Sequence, residues 1–253
     1  MLADIHAHIH VKEFDDDREK VIQRAFDAGV QKIINVGFDV EGNFRALALA
    51  KKYDFIFATF GIHPHLASEW NDEVGANMLA LAAREPKVVA LGEMGLDFYK
   101  NFQPKEVQQK AFEGQLTLAK ELDLPVIIHC RGAFPEIFSL LKKHKMKRVL
   151  LHCFTGTRDV AEEAWRRGYV TSFTGILTYP NAKDLQNIFV DAPLERIFFE
   201  TDSPFLAPQK YRGSRNEPAY VGEIYAAAAR LKGIKMEDLE QQVEENLQEF
   251  FKI

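Results

Sequence analysis

Along this chain, short apolar runs alternate with longer stretches in which apolar residues recur at gaps of three and four. The short runs are Asp4–Ile9, Lys32–Val36, Ile56–Phe60, Val88–Gly92, Val126–Cys130, Arg148–His152, Tyr169–Phe173 and Ile197–Glu200. Several are nearly continuous in apolar residues, the pattern of parallel strands covered on both faces. Between them, Val21, Ile22, Ala25 and Phe26 form one stripe, with Gly29 placed to end the helix. Phe112, Leu116 and Ala119 form another, and Leu239, Val243, Leu247 and Phe250 a third. These stripes read as helix faces turned toward a core. Strands alternating with helices in this number predict an α/β fold of TIM-type (β/α)8 barrel architecture.

The length of 253 residues suits one such barrel. No short repeat, low-complexity tract or Gly/Ser-rich linker interrupts the pattern, so a single domain over residues 1–253 is expected. The longest non-periodic stretch, Ser203–Pro218, follows the last strand, where a barrel keeps an active-site loop. A net charge of -5 offers no bulk attraction to polyanions, so nucleic-acid contact would need a local patch. The two cysteines, Cys130 and Cys153, each follow a histidine. They read as small buried residues of a reduced, cytoplasmic protein, not as a disulfide framework. The start, Met1-Leu2-Ala3-Asp4, has no basic region followed by an apolar stretch, so no signal peptide is expected. No run approaches the ~18 apolar residues of a membrane span.

The candidate chemistry sits at strand ends. In Asp4-Ile5-His6-Ala7-His8, residues two apart share a face of a strand, so His6 and His8 can converge, with Asp4 beside them. Alone, such a pair could equally be two structural histidines. Glu93, however, ends the fourth apolar run, His129 the fifth and His152 the sixth, and Asp202 follows the eighth. The C-terminal strand ends of a β/α barrel form one rim, where its active sites lie. Ionisable groups gathered there need a counter-charge, and a divalent metal supplies one. Six ligands exceed what one catalytic zinc with an open position takes. They suit two ions sharing a carboxylate, for which Glu93, the one Glu among the six, is the candidate bridge. Two such ions would lower the pKa of a water between them. Mixed His and carboxylate ligation suits Zn, Mn or Fe(II), whereas Mg usually takes oxygen-rich sites; Zn, Mn and Mg are carried forward as the candidate metals.

In order along the chain stand Asp4-Ile5-His6-Ala7-His8, Gly61-Ile62-His63-Pro64-His65, Gly92-Glu93-Met94-Gly95-Leu96-Asp97, His129-Cys130-Arg131, His152-Cys153-Phe154-Thr155-Gly156, Glu200-Thr201-Asp202-Ser203-Pro204 and Arg215-Asn216-Glu217-Pro218. This set resembles the TatD family of metal-dependent deoxyribonucleases, within the amidohydrolase superfamily. The resemblance covers nearly the whole chain. It implies a divalent-metal phosphodiesterase acting on DNA as a 3′-to-5′ exonuclease, with a full dinuclear site. With net charge -5 and no dedicated basic groove, DNA ends or single-stranded DNA are the expected substrates, and Glu93 as bridge and Asp202 as base are the expected catalytic residues. His63 would touch a substrate phosphate, against a lesser reading of His63 and His65 as a hydrogen-bonded turn. Arg131, Arg212 and Arg215 are candidates for phosphate contact, against a reading as surface charges or ion pairs. Glu200, two residues before Asp202, would orient a ligand or hold a third ion. Tyr99 and Phe102 could stack on an unpaired base but read more readily as core. Asp15-Asp16-Asp17 reads as a helix N-cap with first-turn charge. The rival activity is hydrolysis of another ester or amide, such as an aminoacyl-tRNA deacylase. Glu93, standing where most amide-cleaving relatives have a carboxylated lysine, favours the phosphodiesterase. No membrane association and no obligate protein partner is implied.

Overall fold

The computed structural model describes residues 1–253. Its elements are β1 (Leu2–Ala7), α1 (Arg18–Asp27), β2 (Val30–Val36), α2 (Val40–Lys52), β3 (Ile56–Phe60), α3 (Asp72–Ala82), β4 (Val88–Asp97), α4 (Lys105–Glu121) and β5 (Val126–Arg131). There follow α5 (Phe134–Lys143), β6 (Val149–Leu151), α6 (Arg158–Arg166), β7 (Val170–Phe173), α7 (Lys183–Asp191), β8 (Ile197–Phe199), α8 (Val221–Lys232) and α9 (Met236–Phe250). The strands are ordered β1 to β8 and alternate with helices, the TIM-type (β/α)8 fold expected from the pattern. No helix is long and apolar enough to cross a membrane.

By contact density the chain separates into two compact units, Met1–Asn35 with Cys153–Ile253, and Val36–His152. In the first, β1 pairs β2 and β7 pairs β8, both in parallel, and Ala7 bridges Ser203 just past β8. Its core is aromatic. Phe199 packs on Tyr225 at 4.5 Å between ring centroids, and Phe173 on Phe189 at 4.9 Å. The buried Tyr225 hydroxyl donates to the Ala3 carbonyl at 3.2 Å and accepts the Ala3 N–H at 3.3 Å, so α8 is tied to β1 without an unpaired polar group.

The second unit pairs β3 with β4, β4 with β5 and β5 with β6. Every residue of β4 is buried. This strand runs to Asp97, five residues past its expected end, so Glu93 lies inside β4. β1 and β8 stop earlier than the pattern suggests, leaving His8 and Glu200 just beyond them. The helix stripes hold, with one exception. Val21, Ile22 and Ala25 are buried, but Phe26 is 57% exposed. Gly29, with φ 86°, follows the C-cap of α1 as expected. Asp17 occupies the N-cap position of α1 but makes no capping bond, because its carboxylate is taken by arginines.

Candidate metal centre

In the first unit, the register of β1 against β2 slips between Asp4 and Ala7, three steps on β1 matching two on β2. Such a bulge re-aims side chains. His6 and His8 still converge, their Nε2 atoms 3.2 Å apart. Asp202 Oδ1 stands 3.4 Å from His8 Nε2 and 3.8 Å from His6 Nε2. Backbone bonds fix this nest. The Asp202 N–H donates to the His6 carbonyl and the His8 N–H to the Ser203 carbonyl, both at 2.8 Å. Asp202 adopts φ 53°, a left-handed conformation that aspartate tolerates better than most residues.

Asp4 takes another part. Its carboxylate accepts the Thr201 hydroxyl at 2.6 Å and the Thr201 N–H at 2.8 Å, fastening β1 to the segment after β8. Burial pushes its pKa up to about 8, against the pull of those bonds. Glu200 is fully buried, accepts the Cys153 N–H at 2.7 Å, and brings Oε2 to 4.0 Å from His6 Nδ1.

In the second unit, Glu93 is the hub. Its Oε1 lies 2.8 Å from His152 Nε2, 2.9 Å from His129 Nδ1 and 3.3 Å from His63 Nε2. The backbone explains how a residue inside a strand reaches this position. Leu91 pairs with Val126 and Met94 with Ile128, so β4 carries one residue more than β5 around Gly92-Glu93. Gly92 has φ 136°, and a Cβ there would collide with the Ile127 carbonyl. Only glycine fits, on both counts. Burial alone would raise the Glu93 pKa, but His152, His63 and His129 together hold it well below the usual range. The carboxylate therefore stays ionised although buried.

His63 accepts the His65 N–H on Nδ1 at 3.1 Å. Its proton is thereby assigned to Nε2, which faces Glu93. Burial lowers the His63 pKa to about 4, so the ring is neutral near pH 7. His129 spans two carboxylates, with Nδ1 toward Glu93 and Nε2 at 3.4 Å from Asp97 Oδ2. The same Asp97 oxygen meets His65 Nε2 at 2.8 Å. A ligating histidine whose second nitrogen faces a carboxylate is held in one orientation and made more basic. Asp97, Thr201 and Asn216 are the contributors that the sequence reading passed over. Asp97 was visible only as the end of a motif, and the other two carry no charge to draw notice.

The donor sets fit divalent ions. In the first unit a neutral imidazole carries one N–H, so His6 and His8 cannot both donate where their Nε2 atoms meet. One would then turn a lone pair toward the Asp202 oxygen. In the second, three histidine nitrogens crowd one carboxylate oxygen. A cation satisfies both arrangements, and imidazole with carboxylate is a common ligand mixture for it. Within the second unit, His63, Glu93 and His129 form one group able to hold an ion, and His65, Asp97 and His129 another.

The arginines are dispersed. The Arg131 guanidinium stands 4.1 Å from the Tyr99 ring centroid, and that of Arg212 stands 4.5 Å from the Tyr179 centroid. Arg215 instead holds both oxygens of Asp17 at 2.8 Å and the Glu13 carbonyl at 2.7 Å. Its motif neighbours are also occupied. Asn216 donates to the Thr201 and Phe205 carbonyls, and Glu217 receives the Arg24 fork. Cys130 and Cys153 are half-buried and free of disulfide, and burial pushes the Cys130 thiol up to about 12.

Comparison with known proteins gives a consistent result. A family model described as TatD related DNase matches residues 3–252. The chain is 41% identical over 255 residues to the uncharacterized metal-dependent hydrolase YabD of Bacillus subtilis, covering 100% of both chains. It is 39% identical over 260 residues to the 3′-5′ ssDNA/RNA exonuclease TatD of Erwinia tasmaniensis, again covering 100% of both. Among solved structures, YjjV, a TatD homolog from Escherichia coli K12, superposes with TM-score 0.93 at 33% identity, covering 100% of this chain and 98% of that one.

Proposed function

The chain belongs to the TatD-related DNase family, and from that premise we propose that it is a metal-dependent 3′-to-5′ exonuclease of single-stranded DNA ends, with RNA as a second substrate. The observation that carries the proposal is the pair of donor nests, His6–His8–Asp202 and His63–Glu93–His129–His152. One divalent ion is assigned to His6, His8 and Asp202, and a second to Glu93, His129 and His152. Zn, Mn and Mg are the candidates. Bound there, the ions would supply Lewis acidity to the phosphate and lower the pKa of water.

The chain's own groups have separate tasks. Asp202, with a side chain 14% exposed, is the proton acceptor for the attacking water. The His63 Nε2 proton, which faces Glu93 at 3.3 Å, would turn to a non-bridging phosphate oxygen once an ion engages the Glu93 carboxylate. Arg131 and Arg212 neutralise phosphate charge, each guanidinium poised on a tyrosine ring. Arg215, the third candidate, grips both oxygens of Asp17, which favours Arg131 and Arg212 for this role. Free cysteines and the absence of a membrane-spanning helix are compatible with work in the cytoplasm.

The test is hydrolysis of 5′-labelled single-stranded DNA with Mn or Mg, against metal-stripped protein, with metal analysis of the purified sample. Stepwise shortening from the 3′ end that depends on metal is expected. Hydrolysis of an aminoacyl ester without any cleavage of DNA would replace this reading with the deacylase. Glu93→Gln is expected to lower the metal content by the one equivalent assigned to Glu93, His129 and His152, and an unchanged content would remove Glu93 as a ligand.

A further inference from the structure

Tyr99 and Phe102 are the most exposed large apolar side chains of the protein, at 69% and 64%. They stand in the turn after β4, and the turn is firmly built. Asp97 Oδ1 accepts the N–H of Tyr99 at 3.0 Å and of Lys100 at 2.8 Å. Its other oxygen meets His65 and His129. The carboxylate that shapes the aromatic turn thus also fixes it beside the Glu93 nest.

Ring contacts lead from the turn into that nest. Phe102 stands 4.7 Å from His65, His65 4.4 Å from His63, and His63 4.5 Å from His129, each edge to face. On the other flank, Arg131 lies two residues after His129 at the end of β5, and its guanidinium stacks on Tyr99. Solvent-exposed aromatic faces contribute little to the core. Placed beside the Arg131 cation and the Glu93 donor nest, they match an unpaired base attached to its phosphate. Every base offers a π face, and inside a duplex that face is covered by the neighbouring base pairs.

We propose that Tyr99 and Phe102 form a base-stacking shelf for the nucleotide adjoining the scissile phosphodiester, with Arg131 as the cation beside it. The shelf accounts for a preference for single strands that net charge does not supply. Its choice of ligand rests on the exonuclease reading above.

The experiment crosses protein variants with substrate variants. Fluorescence anisotropy in EDTA measures binding of a labelled oligodeoxythymidylate and of the same oligomer with abasic residues at its last three 3′ positions. Wild type is expected to bind the abasic oligomer about ten-fold more weakly, the size of one or two lost stacks. Tyr99→Ala/Phe102→Ala is expected to bind both oligomers alike, and Tyr99→Phe/Phe102→Tyr to restore the difference. Parallel hydrolysis with Mn tests the activity separately. If wild type cleaves DNA but the double alanine variant keeps the ten-fold difference, the shelf is overturned and the exonuclease reading stands. If the difference follows the aromatic residues yet no strand is cleaved, the shelf stands and the exonuclease reading falls. Equal binding of the two oligomers by wild type also overturns the shelf.

Discussion

Single residues here act through the company they keep. Asp202 illustrates this, since an otherwise unfavourable backbone angle brings its carboxylate within 3.4 Å of His8. General-base help is worth about 10²–10⁴-fold. Asp202→Asn should therefore lose at least about 100-fold in kcat, read alongside metal content. Near-normal turnover with full metal would remove the base assignment. Asp17 gives a prediction of a different kind. The hydrogen-bonded guanidinium of Arg215 is the main cause of its pKa falling to about 2 from an ordinary 3.8. A depressed carboxylate stabilises the fold above its unfolded pKa and ceases to do so as pH falls through the folded value. The contribution is thus complete above pH 3.8 and lost toward pH 2. In thermal melts, Asp17→Asn should lower Tm at pH 6 and show a shallower decline than wild type between pH 4 and pH 2. Parallel declines would detach Asp17 from the acid sensitivity of the fold.

At the level of elements, β4 decides the second nest. Its extra residue against β5 turns Glu93 toward three histidines, and glycines make room for the detour. Gly95 is the sharper case, with φ 144° and a Cβ position that overlaps the His129 carbonyl. Gly95→Ala combines backbone strain with overpacking beside a proposed ligand, a cost of about 3 kcal/mol. Denaturant melts should show that loss, with metal affinity falling in step. An unchanged midpoint would mean that β5 yields at little cost. The sequence displayed Glu93 at the close of an apolar run, and the structure places its carboxylate among three histidines. The continuation of β4 to Asp97 was not legible, because glycines read as breakers in isolation and as bulge residues only when a neighbouring strand supplies the register.

For the whole molecule, the two proposed ions predict linkage between metal and stability. Each ion that binds the folded chain alone contributes RT ln(1 + [L]/Kd), about 2.7 kcal/mol at a hundred times Kd. At roughly 2–4 °C per kcal/mol for a chain near this size, stripping both ions should lower Tm by about 10 °C or more. Calorimetry with and without chelator measures it, and re-addition of Mn or Zn should restore the value. A Tm indifferent to chelator would argue against resident ions in both nests.

The sequence by itself determined the alternation of strands and helices, the (β/α)8 class and the candidate donor residues. Those properties are local or periodic. Burial on both faces makes a strand continuously apolar, a helix repeats every 3.6 residues, and His6, His8, Glu93, His129, His152 and Asp202 each stand near the C-terminal end of an apolar run. Tertiary structure alone decided which atoms meet. It tied Asp4 to Thr201, paired Arg215 with Asp17, and left Tyr99 and Phe102 exposed where aromatic character alone suggested core. The physical reason is that periodicity reports which face of an element is covered. The partner of a carboxylate or guanidinium is instead set by register slips, bulges and residues nearly two hundred positions away, and none of these leaves a mark in the local pattern.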